Sequence, residues 1–233
     1  MDNDYNENIH IAERQENMRY KLAIFDMDGT ILDTLQDLTD SINYALRANN
    51  YPEHTLEEVR SYVGNGLMKL VERSIPVKTS KEDIDRVFKT LIEYYQIHCA
   101  DKTKPYEGII NLIKGLREAG CKTAVVSNKA DAAVQELCKQ YFPDLFDCAV
   151  GEKKDVLKKP APDSVNYVLD YLHIDQSDTV YIGDSEVDVA TASNAKVDCI
   201  IVSWGFRDVD FLKQNGAKTI VSEANSIYSI IIE

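Results

Sequence analysis

Short apolar runs, each ended by turn-forming polar residues, alternate with helical patterns along most of this chain. The first run covers residues 20–25 and stops at Asp26, as a buried strand would. Comparable segments follow, with apolar runs at 123–126, 148–150, 179–182, 199–202 and 219–221, and helical patterns at 109–119, 130–141, 162–172 and 186–194. Strands separated by helices pair in parallel. The sequence therefore predicts an α/β fold with a mostly parallel sheet and helices on both faces.

The stretch from 36 to 104 breaks this rhythm, because it carries helical patterns without a convincing strand. Two capping motifs, beginning at Thr55 and Ser80, are typical of helix N-termini. We therefore predict an inserted all-helical domain over 36–104. The core would then be built from residues 18–35 and 105–233.

Composition limits the partners of this chain. A formal net charge of -13 argues against nucleic acid, since phosphate-backbone binding relies on a basic face. Five cysteines without a C-x-x-C pair indicate reduced thiols rather than a disulfide or zinc framework. Residues 1–17 lack the apolar run of a signal peptide and are predicted to form a disordered tail, and no later run is long enough to cross a bilayer. We expect a cytoplasmic monomer or homodimer without a membrane partner.

Four polar segments lie at or beyond the ends of predicted strands: 26–30 (Asp-Met-Asp-Gly-Thr), 127–129 (Ser-Asn-Lys), 158–162 (Lys-Lys-Pro-Ala-Pro) and 183–188 (Gly-Asp-Ser-Glu-Val-Asp). Each alone is explained by a turn or a helix cap. In open parallel sheets, however, polar groups beyond the carboxyl ends of the strands converge on one crevice. The four segments together therefore predict one site.

The charge of this crevice calls for a cation. Up to four negative charges would meet there, on Asp26, Asp28, Asp184 and Asp188. Like charges about 4 Å apart repel by about 4 kcal/mol at an effective dielectric constant near 20. Carboxylate and carbonyl oxygens without histidine or thiolate favour Mg²⁺. Lys159 would supply the remaining positive charge.

These four segments resemble the signature motifs of the haloacid dehalogenase superfamily. They occur in that family's order, and the resemblance covers nearly the whole chain from about residue 20. It implies a Rossmann-like core, and the helical insertion after the first motif resembles the family's helical cap domain. It also implies chemistry on phosphorylated small molecules.

The resemblance assigns the charged residues distinct roles. Asp26 would be the nucleophile that forms an aspartyl-phosphate, and Lys159 would help to neutralise the phosphoryl oxygens. Asp28 would protonate the leaving group and then deprotonate the hydrolytic water. Mg²⁺ would be held by the side chains of Asp26 and Asp184 and by the backbone carbonyl of Asp28. Asp188 would orient Lys159 or the metal ligands.

Further residues are expected to contact the substrate. Ser127 and the backbone of Asn128 would hydrogen-bond a phosphoryl oxygen, and Gly29 would let the loop wrap around the phosphate. Thr30 is a second candidate in this loop. From the cap, Arg60, Asn65 and Lys69 are candidates, although a solvated helix surface explains them at least as well.

Details of the motifs narrow the reaction. Dehalogenases lack the second aspartate of the first motif, so Asp28 indicates a different reaction. Thr30 favours a phosphatase, because beta-phosphoglucomutases resemble Asp-x-Asp-Gly-Val at this motif. Within the capped phosphatases, residues 60–66, 127–129 and 203–207 are similar to the phosphoglycolate phosphatase branch.

The predicted function is therefore Mg²⁺-dependent hydrolysis of a small phosphorylated metabolite. A phosphomutase, a pyrophosphatase and a nucleotidase of the same superfamily are alternatives. A non-catalytic binding module ranks last, because Asp26, Asp28, Lys159 and Asp184 are all present.

Overall fold

The structure is a computed structural model that describes residues 18–154 and 156–233. The tail predicted at residues 1–17 lies outside the described residues. The strands are β1 (Leu22–Phe25), β2 (Leu32–Asp33), β3 (Lys104–Pro105), β4 (Lys122–Ala130), β5 (Cys148–Glu152), β6 (Thr179–Gly183), β7 (Asp198–Val202) and β8 (Ile220–Val221). The α-helices are α1 (Leu35–Ala48), α2 (Leu56–Tyr62), α3 (Leu67–Ser74), α4 (Lys81–His98), α5 (Ile109–Glu118), α6 (Asp131–Tyr141), α7 (Asp163–Leu172), α8 (Glu186–Ala195), α9 (Val209–Gln214) and α10 (Ala224–Ile232).

Six of these strands form one sheet in the order β5-β4-β1-β6-β7-β8, and every neighbouring pair is parallel. The predicted α/β fold with a parallel, Rossmann-like core is confirmed. Strand β1 lies inside the sheet, so its carboxyl end opens between those of β4 and β6. Strand β4 runs further than the predicted 123–126, with a register irregularity between Val126 and Ala130. The Ser-Asn-Lys segment occupies that irregular stretch.

Both faces of the sheet are covered, as the continuous apolar runs require. Residues 22–25 are all fully buried, and they alternate between two apolar clusters. Ala23 and Phe25 pack on the side of α5, α6 and α10, whereas Leu22 and Ile24 pack on the side of α7 and α8.

The four helices α1–α4 pack around a third apolar cluster of their own, which Phe206 joins from the core. Thr55 and Glu58 form a reciprocal capping box at the start of α2. At the start of α4, the Ser80 side chain accepts from the Asp83 N–H. These two helices therefore begin where the sequence predicts. We refer to residues 36–104 as the cap and to the rest of the described chain as the core.

Two strands that the sequence did not reveal connect the cap with the core. Strands β2 and β3 pair antiparallel, and they lie where the chain leaves the core and where it returns. Beside them, the buried Asp37 carboxylate accepts N–H groups from Lys102 and Thr103 at 2.8–3.0 Å. These contacts fix the ends of the cap to each other. Within the described residues, no helix combines the length and the apolarity needed to cross a membrane.

Candidate active site

Asp26 stands directly after β1 at the carboxyl edge of the sheet, where its N–H donates to the Ile182 carbonyl at 2.8 Å. The Lys159 Nζ lies 2.8 Å from Asp26 Oδ1 and 2.8 Å from Asp188 Oδ1. All three charged side chains are buried. One ammonium group therefore bridges two carboxylates that come from different strand ends.

Asp188 has both carboxylate oxygens occupied by protein groups. Its Oδ1 accepts from Lys159 and lies 3.2 Å from the Tyr181 hydroxyl. Its Oδ2 accepts from the backbone N–H groups of Asp184 and Ser185 and from the Ser185 hydroxyl, at 2.6–3.2 Å. Asp188 is thus placed to hold Lys159 and the loop after β6.

Asp184 is enclosed by backbone on two sides. Its Oδ2 accepts from the Phe206 N–H at 2.7 Å. A Cβ atom added at Gly205 would lie 2.3 Å from the Asp184 Cβ, and one added at Gly29 would lie 2.4 Å from Asp184 Oδ2. Only glycine permits this close approach at both positions.

Asp26, Asp184 and Asp188 carry more negative charge at this edge of the sheet than the single ammonium group of Lys159 neutralises. Carboxylate oxygens of Asp26, Asp184 and Asp188 all lie within 4.8 Å of one another. Burial raises the pKa of Asp26 to about 7 although Lys159 opposes the shift. Burial, Asp188 and Asp26 hold the pKa of Asp184 well above its usual range. A divalent cation with a preference for oxygen ligands fits this cluster, because it would stabilise the ionised carboxylates.

Asp28 lines the same cavity as Asp26 and Asp184, but its carboxylate is not among the three whose oxygens lie within 4.8 Å of one another. Its Oδ1 and Oδ2 lie 2.9 Å and 3.2 Å from Lys129 Nζ. Lys129 Nζ also donates to the hydroxyl of Tyr95, which belongs to α4 in the cap. Burial opposes the positive charge of Lys129, but Asp28 and Tyr95 overcome this and hold the pKa of the ammonium group above its usual value. The negative charge of Asp28 is therefore balanced locally.

Ser127 and Asn128 occupy the irregular part of β4. Ser127 Oγ accepts from the Lys129 N–H at 3.3 Å, and the residue is buried. The Asn128 side chain accepts from the Lys159 N–H at 2.8 Å and donates to the Lys159 carbonyl at 3.1 Å. The side chain of Asn128 therefore fixes the loop that carries Lys159.

A cavity of about 850 Å³ opens between this edge of the core and the cap. Its core side includes the four motif segments, and three exposed lysines of the loop after β5 also reach it. The polar core residues that line the cavity include Asp26, Asp28, Ser127, Asn128, Lys129, Lys159 and Asp184. On the cap side, the lining residues are uncharged: Leu38, Val63, Gly64, Gly66, Leu67, Met68, Leu70, Phe88, Ile92, Tyr95, Gln96 and Cys99.

Besides Lys69, four predicted substrate contacts lie outside the cavity lining. Gly29 packs against Asp184, as described above. Thr30 is fully buried, and its carbonyl accepts from the Trp204 indole at 3.1 Å. The Arg60 guanidinium donates to Asp208 Oδ1 at 3.2 Å, and Asn65 Oδ1 accepts from the Arg73 guanidinium at 2.7 Å. The geometry gives these four residues packing and interface contacts rather than a place at the cavity.

The loop after β7 links the cap to Asp184. Arg207 donates to the carbonyls of Val63 and Arg60 at the end of α2, at 2.7 Å and 3.2 Å. Its Nε lies 2.9 Å from Glu186 Oε2 in the core. The preceding residue, Phe206, donates its backbone N–H to Asp184 Oδ2, and its side chain packs among the cap helices.

Sequence reasoning missed the contacts of Lys129, Tyr95 and Arg207. Lys129 and Arg207 lie in segments that the sequence already singled out, although without a role for either residue. Tyr95 carries no signal of its own, since it is one aromatic residue within a long amphipathic helix.

Known proteins match this chain over most of its length. The family model for haloacid dehalogenase-like hydrolases matches residues 23–202. The phosphoglycolate phosphatase of Psychrobacter arcticus is 32% identical over 197 residues, which cover 81% of this chain and 86% of that protein. The phosphoglycolate phosphatase of Rhodobacter capsulatus is 33% identical and covers 79% of this chain and 84% of its own.

A solved structure extends this likeness to three dimensions. A protein from Lactobacillus delbrueckii subsp. bulgaricus, provisionally named a phosphoglycolate phosphatase, superimposes with a TM-score of 0.89 and 41% identity. The match covers 93% of this chain and 100% of that chain. The predictions of the superfamily and of an enzyme of the phosphatase class are confirmed. This chain belongs to the haloacid dehalogenase-like hydrolase family.

Proposed function

We propose that this chain is a Mg²⁺-dependent phosphatase that hydrolyses a small phosphomonoester through an aspartyl-phosphate on Asp26. One observation carries the proposal. Asp26 lines the cavity, is held by Lys159 at 2.8 Å, and has carboxylate oxygens of two further aspartates within 4.8 Å. This is the combination of nucleophile, fixed cation and metal ligands that phosphoryl transfer requires.

The metal ligands would be the side chains of Asp26 and Asp184 and the carbonyl of Asp28. Asp188 is less suited to direct ligation, because both of its oxygens already accept hydrogen bonds. Bound there, Mg²⁺ would supply positive charge to the phosphoryl oxygens.

In the first half-reaction, a carboxylate oxygen of Asp26 forms a bond to phosphorus while the ester bond to the leaving group breaks. Lys159 fixes the orientation of Asp26 and offsets part of the charge on the phosphoryl group. Ser127 Oγ and the backbone of Asn128 hold a phosphoryl oxygen. Asp28 enters this step in its protonated form, and its carboxyl group donates that proton to the departing ester oxygen.

In the second half-reaction, Asp28 accepts a proton from a water molecule that attacks the same phosphorus. The bond between Asp26 and phosphorus breaks, inorganic phosphate leaves, and Asp26 is regenerated. The cap would limit bulk water during both steps, since the cavity lies between the cap and the core.

Phosphoglycolate is the first substrate to test, because the relatives from Psychrobacter arcticus and Rhodobacter capsulatus carry the name of phosphoglycolate phosphatases. Phosphate release from phosphoglycolate and from p-nitrophenyl phosphate is measured with MgCl2 and again with a chelator. We expect activity only with MgCl2, and we expect Asp26→Asn to lower kcat by about 10³-fold or more. Mass spectrometry of the rapidly quenched enzyme should find a phosphoryl group on Asp26.

Asp170→Asn is the matched control, because Asp170 is exposed on α7 and does not line the cavity. It should retain wild-type activity. Hydrolysis that persists in the chelator or in Asp26→Asn would refute the proposal.

A further inference from the structure

We propose that Lys129 and Tyr95 form a binding subsite for a carboxylate on the leaving group. The substrate class would then be phosphorylated short-chain hydroxy acids, of which phosphoglycolate is the smallest. This inference rests on the proposed phosphatase function and adds the group that selects the substrate.

Lys129 lies next to Asp28, on the side of the site where the leaving group would depart. Lys129 Nζ lies 2.9 Å from Asp28 Oδ1, and Asp28 is the residue that would protonate the ester oxygen of the leaving group. In phosphoglycolate a single methylene separates that oxygen from the carboxylate. A carboxylate on such a leaving group therefore falls within the surroundings of Asp28.

Buried cations are scarce in this protein. Among the residues that the structure describes, Lys129 and Lys159 are the only buried lysines or arginines. Lys159 is committed to Asp26 and Asp188 on the phosphoryl side. Lys129 pairs with one carboxylate, Asp28, and is thus the buried cation on the leaving-group side, where burial strengthens its attraction to an anion.

Tyr95 supplies a directional donor. Its hydroxyl accepts from Lys129, and no acceptor for its own O–H is found among the described residues. Burial raises the pKa of Tyr95, so the hydroxyl keeps its proton. Because Tyr95 also lines the cavity, a carboxylate can accept from its O–H and face the Lys129 charge at the same time.

The rest of the cap wall offers no competing cation, since its lining residues are uncharged. Three lysines of the loop after β5, Lys153, Lys154 and Lys158, reach the cavity but are exposed. Water and salt screen exposed charges, so these lysines would discriminate weakly.

Ethyl phosphate tests the subsite, because it keeps the ester oxygen and the two-carbon chain of phosphoglycolate but has a methyl group in place of the carboxylate. The measurement is the ratio of kcat/KM for phosphoglycolate to kcat/KM for ethyl phosphate, with MgCl2 present. We expect the wild type to prefer phosphoglycolate. Tyr95→Phe should lower the ratio about 10-fold and Lys129→Met about 100-fold, as expected for losing a hydrogen bond and a charge-assisted contact.

Two matched controls isolate the effect. Tyr94→Phe removes a hydroxyl from the neighbouring position of α4, outside the cavity lining, and Lys158→Met removes an exposed lysine of the same cavity. Both should leave the ratio unchanged. Tyr95→Phe keeps the aromatic ring, and circular dichroism checks that each variant folds.

The two proposals fail differently. If the enzyme hydrolyses both esters but the ratio is unaltered in Tyr95→Phe and Lys129→Met, the subsite is refuted and the phosphatase function stands. A wild type without preference for phosphoglycolate refutes the subsite as well. If neither ester is hydrolysed with MgCl2, the proposed function fails and the subsite fails with it.

Discussion

The two walls of the cavity are built in opposite ways. On the core side, charged groups hold one another: Lys159 bridges Asp26 and Asp188, and Asp188 in turn binds the loop that carries Asp184. On the cap side, the lining is uncharged and mostly apolar, with Tyr95 as its contact to a buried charge. The charged groups of the core wall therefore hold one another in position, whereas the cap wall offers mainly shape and apolar surface to a bound substrate.

Removing Lys159 tests the core wall most severely. Lys159→Met leaves two buried carboxylates without their cation, so we expect the free energy of unfolding to fall by about 3 kcal/mol without metal. We also expect kcat to fall by about 10²-fold or more, since a fixed charge next to the phosphoryl group is lost. Urea denaturation and steady-state kinetics measure the two effects.

Lys21→Met is its matched control. Lys21 lies 2.8 Å from Asp178, the same separation as in the buried pairs, but its side chain is 49% exposed. We expect little change in stability. An equal loss of unfolding free energy in Lys159→Met and Lys21→Met would show that burial does not make the ion pairs of the core wall more important for stability.

A smaller change tests the packing around Asp184. Gly205→Ala would place a Cβ atom 2.3 Å from the Asp184 Cβ, so the loop or the carboxylate must shift. We expect a loss of about 1–3 kcal/mol in stability and a weaker rise in melting temperature on adding MgCl2. Thermal melts with and without MgCl2 measure both.

Gly115→Ala provides the comparison, because Gly115 lies within α5 and its added Cβ would meet the Tyr228 ring at 3.3 Å. A helical alanine there should be neutral or slightly stabilising. If Gly205→Ala keeps the full response to MgCl2, close packing of Asp184 does not matter for metal binding.

The smallest effect concerns the link between the two walls. Arg207→Ala removes the donors to the Val63 and Arg60 carbonyls, and we expect a loss of about 1–2 kcal/mol. Trp204 is the only tryptophan of the chain and lies in the same loop, so its fluorescence should change.

Arg73→Ala is the control for this variant, since Arg73 donates to the Tyr62 carbonyl at the same helix end but from within the cap. It should leave the Trp204 emission unchanged. Identical spectra for Arg207→Ala and the wild type would contradict a link through this loop.

Much of this architecture is predictable from local patterns. Apolar runs such as residues 20–25, separated by helical patterns, predict the parallel sheet. The polar segments at the ends of these runs predict where the site lies. The two-residue strands β2 and β3 are too short to show a period, which is why the sequence did not reveal them.

Side-chain partners across long sequence separations were not predictable. Asp28 and Lys129 are 101 positions apart, and nothing local indicates that they pair. Thr30 and Arg60 occupy segments that suggest substrate contact, but neither lines the cavity: the Thr30 carbonyl accepts from the Trp204 indole, and Arg60 pairs with Asp208. Tertiary contacts, and not residue type, decide which of these residues reach the cavity.

The interior position of β1 has a consequence for the growing polypeptide on the ribosome. Leu22 pairs with Lys122 on one side and with Thr179 on the other, so this strand stays without a neighbour until much later residues are synthesised. The helices α1–α4, which are contiguous in sequence, can pack far earlier. Nascent chains therefore expose an unpaired apolar strand until residues 122–125 are synthesised, and fragments that stop before residue 179 keep one aggregation-prone edge of it open.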